Sequence, residues 1–228
     1  MKYSSVVDAI FLKRPNRFTA EVLINGTVET VHVRNTGRCR EILKEGTPVI
    51  LEESAKPGRK TAYTLVKAYK GNNLINIDSL APNKVVYNAI NEGRLQEFTN
   101  VSLLSREVIF QSSRFDLYYE SADSRGFIEV KGVTLEQDGT AMFPDAPTQR
   151  GTKHIHEMID AVKNGFTGRI VFVIQMQGVR LFTPNRKTDL EFSTALRKAV
   201  EYGVNVLAFD CSVTRDGMWL GKRIEVSI

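Results

Sequence analysis

The sequence changes its pattern once, near Asp78, and this change constrains the fold more than any other feature. Before it, short apolar runs such as residues 6–12 alternate with turn signals, among them residues 14–16 and Asn25-Gly26. An Asn-Gly pair between apolar runs is a strong signal for a two-residue hairpin. Several short strands with one helical turn are typical of a small barrel. We therefore predict a small β-barrel over residues 1–78.

After Asp78, helical periodicity and strand-like runs alternate. The predicted order is a helix from Pro82 to Gly93, strands at 106–110, 114–119 and 126–133, a helix over 155–166, a strand at 169–176, a helix opened by the capping box 188–191, and a strand at 205–213. Three successive strands favour an antiparallel meander, and the strand–helix–strand end favours a parallel crossover. We therefore predict an α/β (α+β) domain over residues 79–228, a mixed sheet flanked by helices.

The net charge of +5 is confined to the first third of the chain. Residues 1–80 contain 13 Lys and Arg against 8 Asp and Glu, whereas the remainder contains 18 of each kind. Such asymmetry favours contact with a polyanion, most often nucleic acid. The alternative is a mildly basic surface that has no partner.

No apolar stretch is long enough to span a bilayer, so no membrane association is predicted. The apolar run at residues 6–12 is too short for a secretory signal and is interrupted by Asp8. Cys39 and Cys211 are far apart and lack metal-ligand spacing, so both are expected to be reduced. We therefore predict a cytoplasmic protein; the sequence is compatible with a homo-oligomer but does not determine the oligomeric state.

Three charged residues on the predicted meander carry the main chemical hypothesis. Residues two apart on a strand point to one face, so Glu129 and Lys131 lie side by side. A hairpin between their strand and the preceding one brings Asp116 opposite Glu129. Two converging carboxylates suit a hard cation such as Mg²⁺ or Mn²⁺, and a neighbouring lysine either orients the attacking water or stabilises charge on a phosphate. Since Glu-x-Lys alone is close to chance, the alternative is a surface ion pair on a solvated sheet face.

Several runs resemble the SfsA family, the sugar fermentation stimulation proteins. They are Ser113-Arg114-Phe115-Asp116, residues 128–135, and residues 143–151 with Lys153-His154, together with Arg17-Phe18, Asn35-Thr36-Gly37, Arg59-Lys60-Thr61 and Pro82-Asn83. The resemblance covers essentially the whole chain. It implies an OB-like N-terminal domain, a C-terminal domain related to PD-(D/E)xK nucleases, DNA as partner, and a role in regulating sugar catabolism.

The nuclease pattern also implies roles for individual residues. Asp116 and Glu129 match the metal-binding acids, and Lys131 matches the catalytic lysine. Phe115 precedes Asp116, at the position where the name of the motif has a proline. In such nucleases the leading helix often supplies a further metal-binding acid. On the predicted helix, Asn88 lacks a carboxylate and Glu92 is the candidate. Glu107 on the first strand is another candidate.

The segment from 143 to 154 and one buried strand supply further candidates. Asp145 is stiffened by the flanking prolines and either contributes to the site or pairs with Arg150. Arg150 and Lys153 are expected to meet phosphates where a helix begins. His154 is two residues from His156, so the two do not face each other, and a satisfied histidine is the default. Gln175 lies near the end of an apolar strand, where a buried amide needs partners.

The predicted barrel mixes basic and aromatic side chains, as nucleic-acid-binding OB barrels do. The DNA-contacting candidates are Arg17, Arg38, Arg59 and Lys60. Three functions follow: a metal-dependent nuclease that binds DNA, a non-enzymatic DNA-binding regulator that retains the fold, or an enzyme acting on a small phosphorylated metabolite. The first has the most support, because it alone uses both the acids and the basic barrel.

Overall fold

The first part of the chain forms a closed β-barrel. The computed structural model describes residues 1–35, 37–54, 58 and 60–228. Its first strands are β1 (Val6–Asn16), β2 (Thr19–Ile24), β3 (Thr27–Val33), β4 (Pro48–Glu53), β5 (Tyr63–Lys70) and β6 (Asn73–Asn76). Within this described part, the sheet order is β3-β2-β1-β4-β5-β6, and a parallel pairing of β3 with β5 closes the barrel.

The predicted hairpin at Asn25-Gly26 is confirmed. Ile24 pairs with Thr27, and Asn25 and Gly26 both have positive φ, at 48° and 83°. This backbone is the one that a two-residue turn between twisted strands requires.

The predicted turn at residues 14–16 was wrong, because β1 continues to Asn16 and the chain turns at Arg17 and Phe18. β4 pairs with β1 only between Val6 and Ile10. Pro15 therefore lies where β1 has no β4 neighbour, and its missing N–H removes no hydrogen bond on that side.

The second part forms one large mixed sheet with helices on both faces. Its elements are α1 (Ala81–Asn91), β7 (Val101–Phe110), β8 (Ser113–Ser121), β9 (Arg125–Val133), β10 (Leu135–Gln137), β11 (Thr140–Phe143), α2 (Gln149–Lys163), β12 (Thr167–Ile174), β13 (Leu181–Pro184), α3 (Leu190–Glu201), β14 (Asn205–Val213) and β15 (Met218–Val226). Among the described residues, the strand order is β10-β11-β13-β15-β14-β12-β9-β8-β7. The predicted small barrel followed by a mixed sheet is confirmed.

Strand direction follows the predicted meander and crossover. β7, β8 and β9 are antiparallel neighbours, whereas β12 is parallel to both β9 and β14. The sequence did not reveal β10, β11, β13 or β15, which extend the sheet beyond β14. Three of these strands are only three or four residues long, too short for an alternating pattern to stand out.

The two faces of the large sheet bury separate apolar layers. α1 packs Val85, Val86 and Ala89 against a layer that includes Ile128 and Val171. On the opposite face, α2 and α3 cover a layer that continues into the barrel core. Members of this second layer include Phe127, Ile155, Met158, Phe172, Phe192 and, from the barrel, Val31 and Leu65. The barrel is therefore packed firmly onto the large sheet.

Polar contacts also join the barrel to the large sheet. The N–H of Asn76 donates to the carbonyl of Gln175 (2.9 Å), and Lys70 pairs with Glu136 (2.7 Å). Lys2 forms a β-bridge with Gly217, so the N-terminal segment packs against the turn before β15. None of the described helices has the length and apolar character needed to cross a membrane.

Lys67 of β5 is fully buried at this junction. Its Nζ donates to the carbonyl of Arg215 (3.0 Å) and lies 4.1 Å from the centre of the Tyr3 ring. Burial lowers the pKa of Lys67 to about 8, although the charge of Asp216 opposes the shift. An ammonium group is therefore held at a site that favours the neutral amine.

We predict that the free energy of unfolding depends less on pH between 8 and 10.5 in Lys67→Met than in wild type. The pKa of Lys67 is lower in the folded chain than in the unfolded chain. The protonated amine therefore lowers the free energy of unfolding by its full amount below pH 8, and this loss disappears as the pH rises towards 10.5. Wild type should therefore gain on the order of 3 kcal/mol of unfolding free energy relative to the variant over this range. Urea unfolding of both proteins at matched pH values measures this difference; a constant difference would contradict the burial of a charged amine.

Candidate metal centre

Asp116 lies on β8, where backbone pairing with β9 gives way to a side-chain contact. Its Oδ1 accepts a hydrogen bond from Nδ2 of Asn83 (2.7 Å). Its Oδ2 accepts another from the backbone N–H of Val130 (2.8 Å). The register of β8 with β9, continued by one step, sets Asp116 opposite Glu129. Asp116 therefore links the first turn of α1 to the strand that carries Glu129 and Lys131.

Glu129 is the deeply buried acid, with 3% of its surface exposed. Its Oε1 accepts a hydrogen bond from Nζ of Lys131 at 2.5 Å and lies 2.5 Å from Nδ1 of His154. Its Oε2 is also buried and has no hydrogen-bond partner in the described part of the chain. A buried carboxylate oxygen requires a donor or a cation. Oε2 is thus the atom of this cluster that is free to bind a cation.

The two carboxylates titrate in opposite directions. Burial alone would raise the pKa of Glu129, but Lys131 and His154 outweigh it and hold that pKa below its ordinary value. Burial and the charge of Glu129 raise the pKa of Asp116, against the opposing hydrogen bond from Val130. Glu129 is therefore the fixed negative charge, and a cation between the acids would favour the ionised form of both.

The carboxylates of Asp116 and Glu129 fit an open site for a hard divalent cation. Among residues 1–35, 37–54, 58 and 60–228, no group of three or more His, Cys, Asp or Glu side chains is arranged to hold a metal. Asp116 and Glu129 offer two carboxylates, one with the unpartnered Oε2. Mg²⁺ is usually held by one or two carboxylates, with waters and substrate phosphates completing its octahedron. The arrangement suits that kind of site rather than a closed structural cage.

The two further acid candidates lie in different places. Glu107 of β7 stands opposite Asp116 in the strand register and borders the same surface cavity. Its side chain is largely exposed and pairs with Arg114 at 3.4 Å. Glu92 caps the far end of α1, about 13 Å along the helix from Asn83. It pairs with Arg94 (2.7 Å), so the structure does not bring Glu92 to Asp116.

Helix α2 reaches the acids through His154. This histidine is buried between Glu129 and Arg150, whose Nε donates to His154 Nε2 at the long distance of 3.5 Å. Lys153 is exposed and pairs with Glu157 at 3.6 Å. The sequence alone could not assign this contact to His154, because tertiary packing decides which face of α2 meets β9.

Asn83 was not singled out from the sequence as a functional residue. It lies in the first turn of α1, beside the prolines and apolar residues that bury this helix. The available signal was the Pro82-Asn83 pair, which belongs to the family resemblance. Its contact with Asp116 follows from the packing of α1 on the sheet.

Asp145 and Gln175 border a cavity of about 450 Å³ between barrel and sheet, which we call the barrel–sheet cleft. It is lined by Arg17, Asn35, Gly37, Ser79, Gly132, Thr134, Gln175 and residues 143–148. Asp145 Oδ2 accepts from the backbone N–H of Arg38 (3.2 Å), rather than pairing with Arg150. Any side chain at Gly37 would collide with this carboxylate, since its Cβ would lie 2.7 Å from Oδ2.

A second cavity, of about 460 Å³, runs along the barrel, and we call it the basic groove. Its lining includes Lys13, Arg14, Arg17, Arg38 and Arg40, with Glu45 as the opposing charge. Arg17 and Gly37 line both the groove and the barrel–sheet cleft, so the two cavities adjoin. Lys60 is exposed but does not line either cavity; Arg59 lies outside the described residues.

Two family models together match most of the chain. The model described as the sugar fermentation stimulation protein RE domain matches residues 80–217. The model described as the SfsA N-terminal OB domain matches residues 12–77.

Similar proteins extend over the full length of the chain. A sugar fermentation stimulation protein homolog from Alkaliphilus oremlandii is 54% identical over 99% of this chain and 98% of its own length. A homolog from Clostridium perfringens is 49% identical, with 99% of each chain covered. The structure of Pyrococcus furiosus SfsA in complex with Ca²⁺ superposes with a TM-score of 0.92 at 30% identity, covering 100% of this chain and 98% of that one. The chain therefore belongs to the SfsA family of sugar fermentation stimulation proteins.

Proposed function

We propose that this chain binds DNA and hydrolyses phosphodiester bonds at a Mg²⁺ or Mn²⁺ site formed by Asp116 and Glu129. Residues 1–78 act as the OB-like DNA-binding domain and residues 79–228 as the PD-(D/E)xK nuclease-like domain. Glu107, across the strand register from Asp116, is the proposed further ligand.

The observation that carries the proposal is the state of Glu129. One oxygen of this buried carboxylate is held by Lys131 and His154, and the other has no partner among the described residues. A purely structural ion pair would gain nothing from keeping an oxygen buried and unpaired. The complex of Pyrococcus furiosus SfsA with Ca²⁺, another hard oxygen-binding cation, also supports a divalent-metal site.

The residues of the proposed site have distinct roles in phosphodiester hydrolysis. A cation bound there would supply Lewis acidity that stabilises the negative charge on a phosphate under attack. Asp116 of β8 and Glu129 of β9 would hold it through their carboxylates. Lys131, with its ammonium already beside Glu129, binds a phosphate oxygen and stabilises the same charge. His154 keeps the Glu129 carboxylate in one orientation.

A non-enzymatic DNA-binding regulator of sugar catabolism is the second candidate. The hydrogen bonds of Asp116 to Asn83 and Val130 favour it, because both carboxylate oxygens already serve a structural purpose. In that case the basic groove would be functional and the acids would only hold α1, β8 and β9 together. Binding of DNA would then survive substitution of the acids.

We predict that Asp116→Asn weakens Mn²⁺ binding by about 10-fold or more and abolishes DNA cleavage. The amide keeps the size of the side chain and an acceptor for Val130, so the fold is retained while one ligand charge is lost. Calorimetric titration with Mn²⁺ and a plasmid-nicking assay measure the two effects.

Glu92→Gln is the matched control, because it removes an acid from the far end of the same helix. It should leave both measurements unchanged. Wild-type affinity for Mn²⁺ in Asp116→Asn would contradict the metal site. DNA binding by wild type without Mn²⁺ binding or nicking would favour the regulator.

We predict that the double variant Arg17→Ala, Arg38→Ala binds DNA less tightly and with a weaker dependence on salt. Each phosphate contact contributes about 0.7–0.9 to the slope of log affinity against log salt. The slope should therefore fall by about 1.5 in the double variant. Fluorescence anisotropy in EDTA over a range of salt concentrations measures it.

Arg197→Ala serves as control, because Arg197 is exposed on α3 and lines neither the basic groove nor the barrel–sheet cleft. It should retain the wild-type slope. An unchanged slope in the double variant would place the DNA elsewhere on the surface.

A further inference from the structure

Gln175 is held rigidly by its backbone while its side chain keeps an unused acceptor. Its N–H donates to the carbonyl of Val133 (2.9 Å), and its carbonyl accepts from the N–H of Asn76 (2.9 Å). The residue is 2% exposed, and its Oε1 is buried with no partner among the described residues. An amide oxygen left unpaired in the interior destabilises the fold, so a retained one points to a ligand.

The position of Gln175 at the floor of the barrel–sheet cleft depends on Gly132. A Cβ at Gly132 would lie 2.8 Å from Pro82 Cγ and 3.1 Å from Gln175 Nε2. Glycine therefore permits close packing of the amide against β9. The amide lines the cleft where the barrel meets the large sheet.

The cleft has the size and lining of a site for one small planar group. Its volume of about 450 Å³ lies in the range of small-ligand pockets and is too small for a duplex. Phe143 and Pro144 supply an apolar wall, whereas Gln175 and Asp145 supply acceptors. An unstacked nucleobase matches this lining, because it combines an apolar face with N–H donors on its edge.

The neighbouring basic groove indicates whether that base belongs to a free nucleotide or to a strand. The cleft adjoins the basic groove through Arg17 and Gly37. Cationic side chains along the groove suit successive phosphates of a strand. A free nucleotide would use only the cleft, whereas a strand would use the groove and the cleft together.

We propose that the barrel–sheet cleft binds one unstacked base of a DNA strand lying along the basic groove, and that Gln175 accepts a hydrogen bond from that base. This inference rests on the proposed DNA-binding function and adds a base-binding subsite to it.

The test uses the full chain in EDTA, so that binding is measured without cleavage. A fluorescent single-stranded octanucleotide is compared with eight versions, each of which has one abasic position. In wild type, one abasic position should weaken binding about 10-fold, because a buried hydrogen bond and a stacking contact are lost. A free deoxynucleoside monophosphate should bind far more weakly than the octanucleotide.

Gln175→Met removes both hydrogen-bonding groups at nearly constant volume. It should bind the intact octanucleotide several-fold more weakly, and the abasic effect should shrink to the part that stacking contributes. Its melting temperature should equal or exceed that of wild type, since an unpaired buried oxygen is removed. The exposed Gln177, two residues along the chain, provides the control Gln177→Met, which should behave as wild type.

Three results would overturn the inference. They are wild-type binding that no abasic position weakens, an undiminished abasic effect in Gln175→Met, and monophosphate binding as tight as that of the octanucleotide. The first is informative even if the variant does not fold. Salt-dependent binding of the octanucleotide without base dependence would reject the subsite alone, whereas no binding at all would also reject the proposed DNA-binding function.

Discussion

The placement of β9 between antiparallel β8 and parallel β12 determines the geometry of the proposed metal site and of the cleft floor. Asp116 reaches this strand through the N–H of Val130, and His154 reaches it through Glu129. Gln175 is bound to it through the carbonyl of Val133. Because alternate residues of a strand face opposite ways, a shift of one residue would turn Glu129 and Lys131 away from α2. The register of β9 is therefore the constraint on which the candidate chemistry depends.

Polar groups that are only partly satisfied lie beside this strand. Glu129 Oε2 and Gln175 Oε1 are both buried without partners among the described residues, although apolar layers surround the sheet on both faces. Unpaired polar atoms cost stability, and folded proteins retain few of them. The unpaired Glu129 oxygen beside Lys131 distinguishes the candidate metal site from an ordinary surface ion pair, and the unpaired Gln175 oxygen does the same for the barrel–sheet cleft.

The sequence predicted what depends on local pattern. The hairpin at Asn25-Gly26, the β7–β8–β9 meander and the parallel crossover to β12 all follow from turn residues and apolar periodicity. Strand β15 escaped prediction because Gly221 and two basic residues interrupt its pattern; there the N–H of Lys222 donates to Asp210 at a bulged pairing. The burial of Gln175 follows from its apolar strand, but its unpaired oxygen and the contact of His154 with Glu129 were not predictable, because they depend on how α2 and the barrel pack against the sheet.

The most direct test of a metal site at Asp116 and Glu129 is anomalous diffraction from a crystal of this protein grown with Mn²⁺. An anomalous peak should lie within about 2.2 Å of Glu129 Oε2 and close to the carboxylate of Asp116. No peak at this position, despite full occupancy of Mn²⁺ elsewhere or saturating Mn²⁺ in the crystal, would contradict the site and leave DNA binding as the function to pursue.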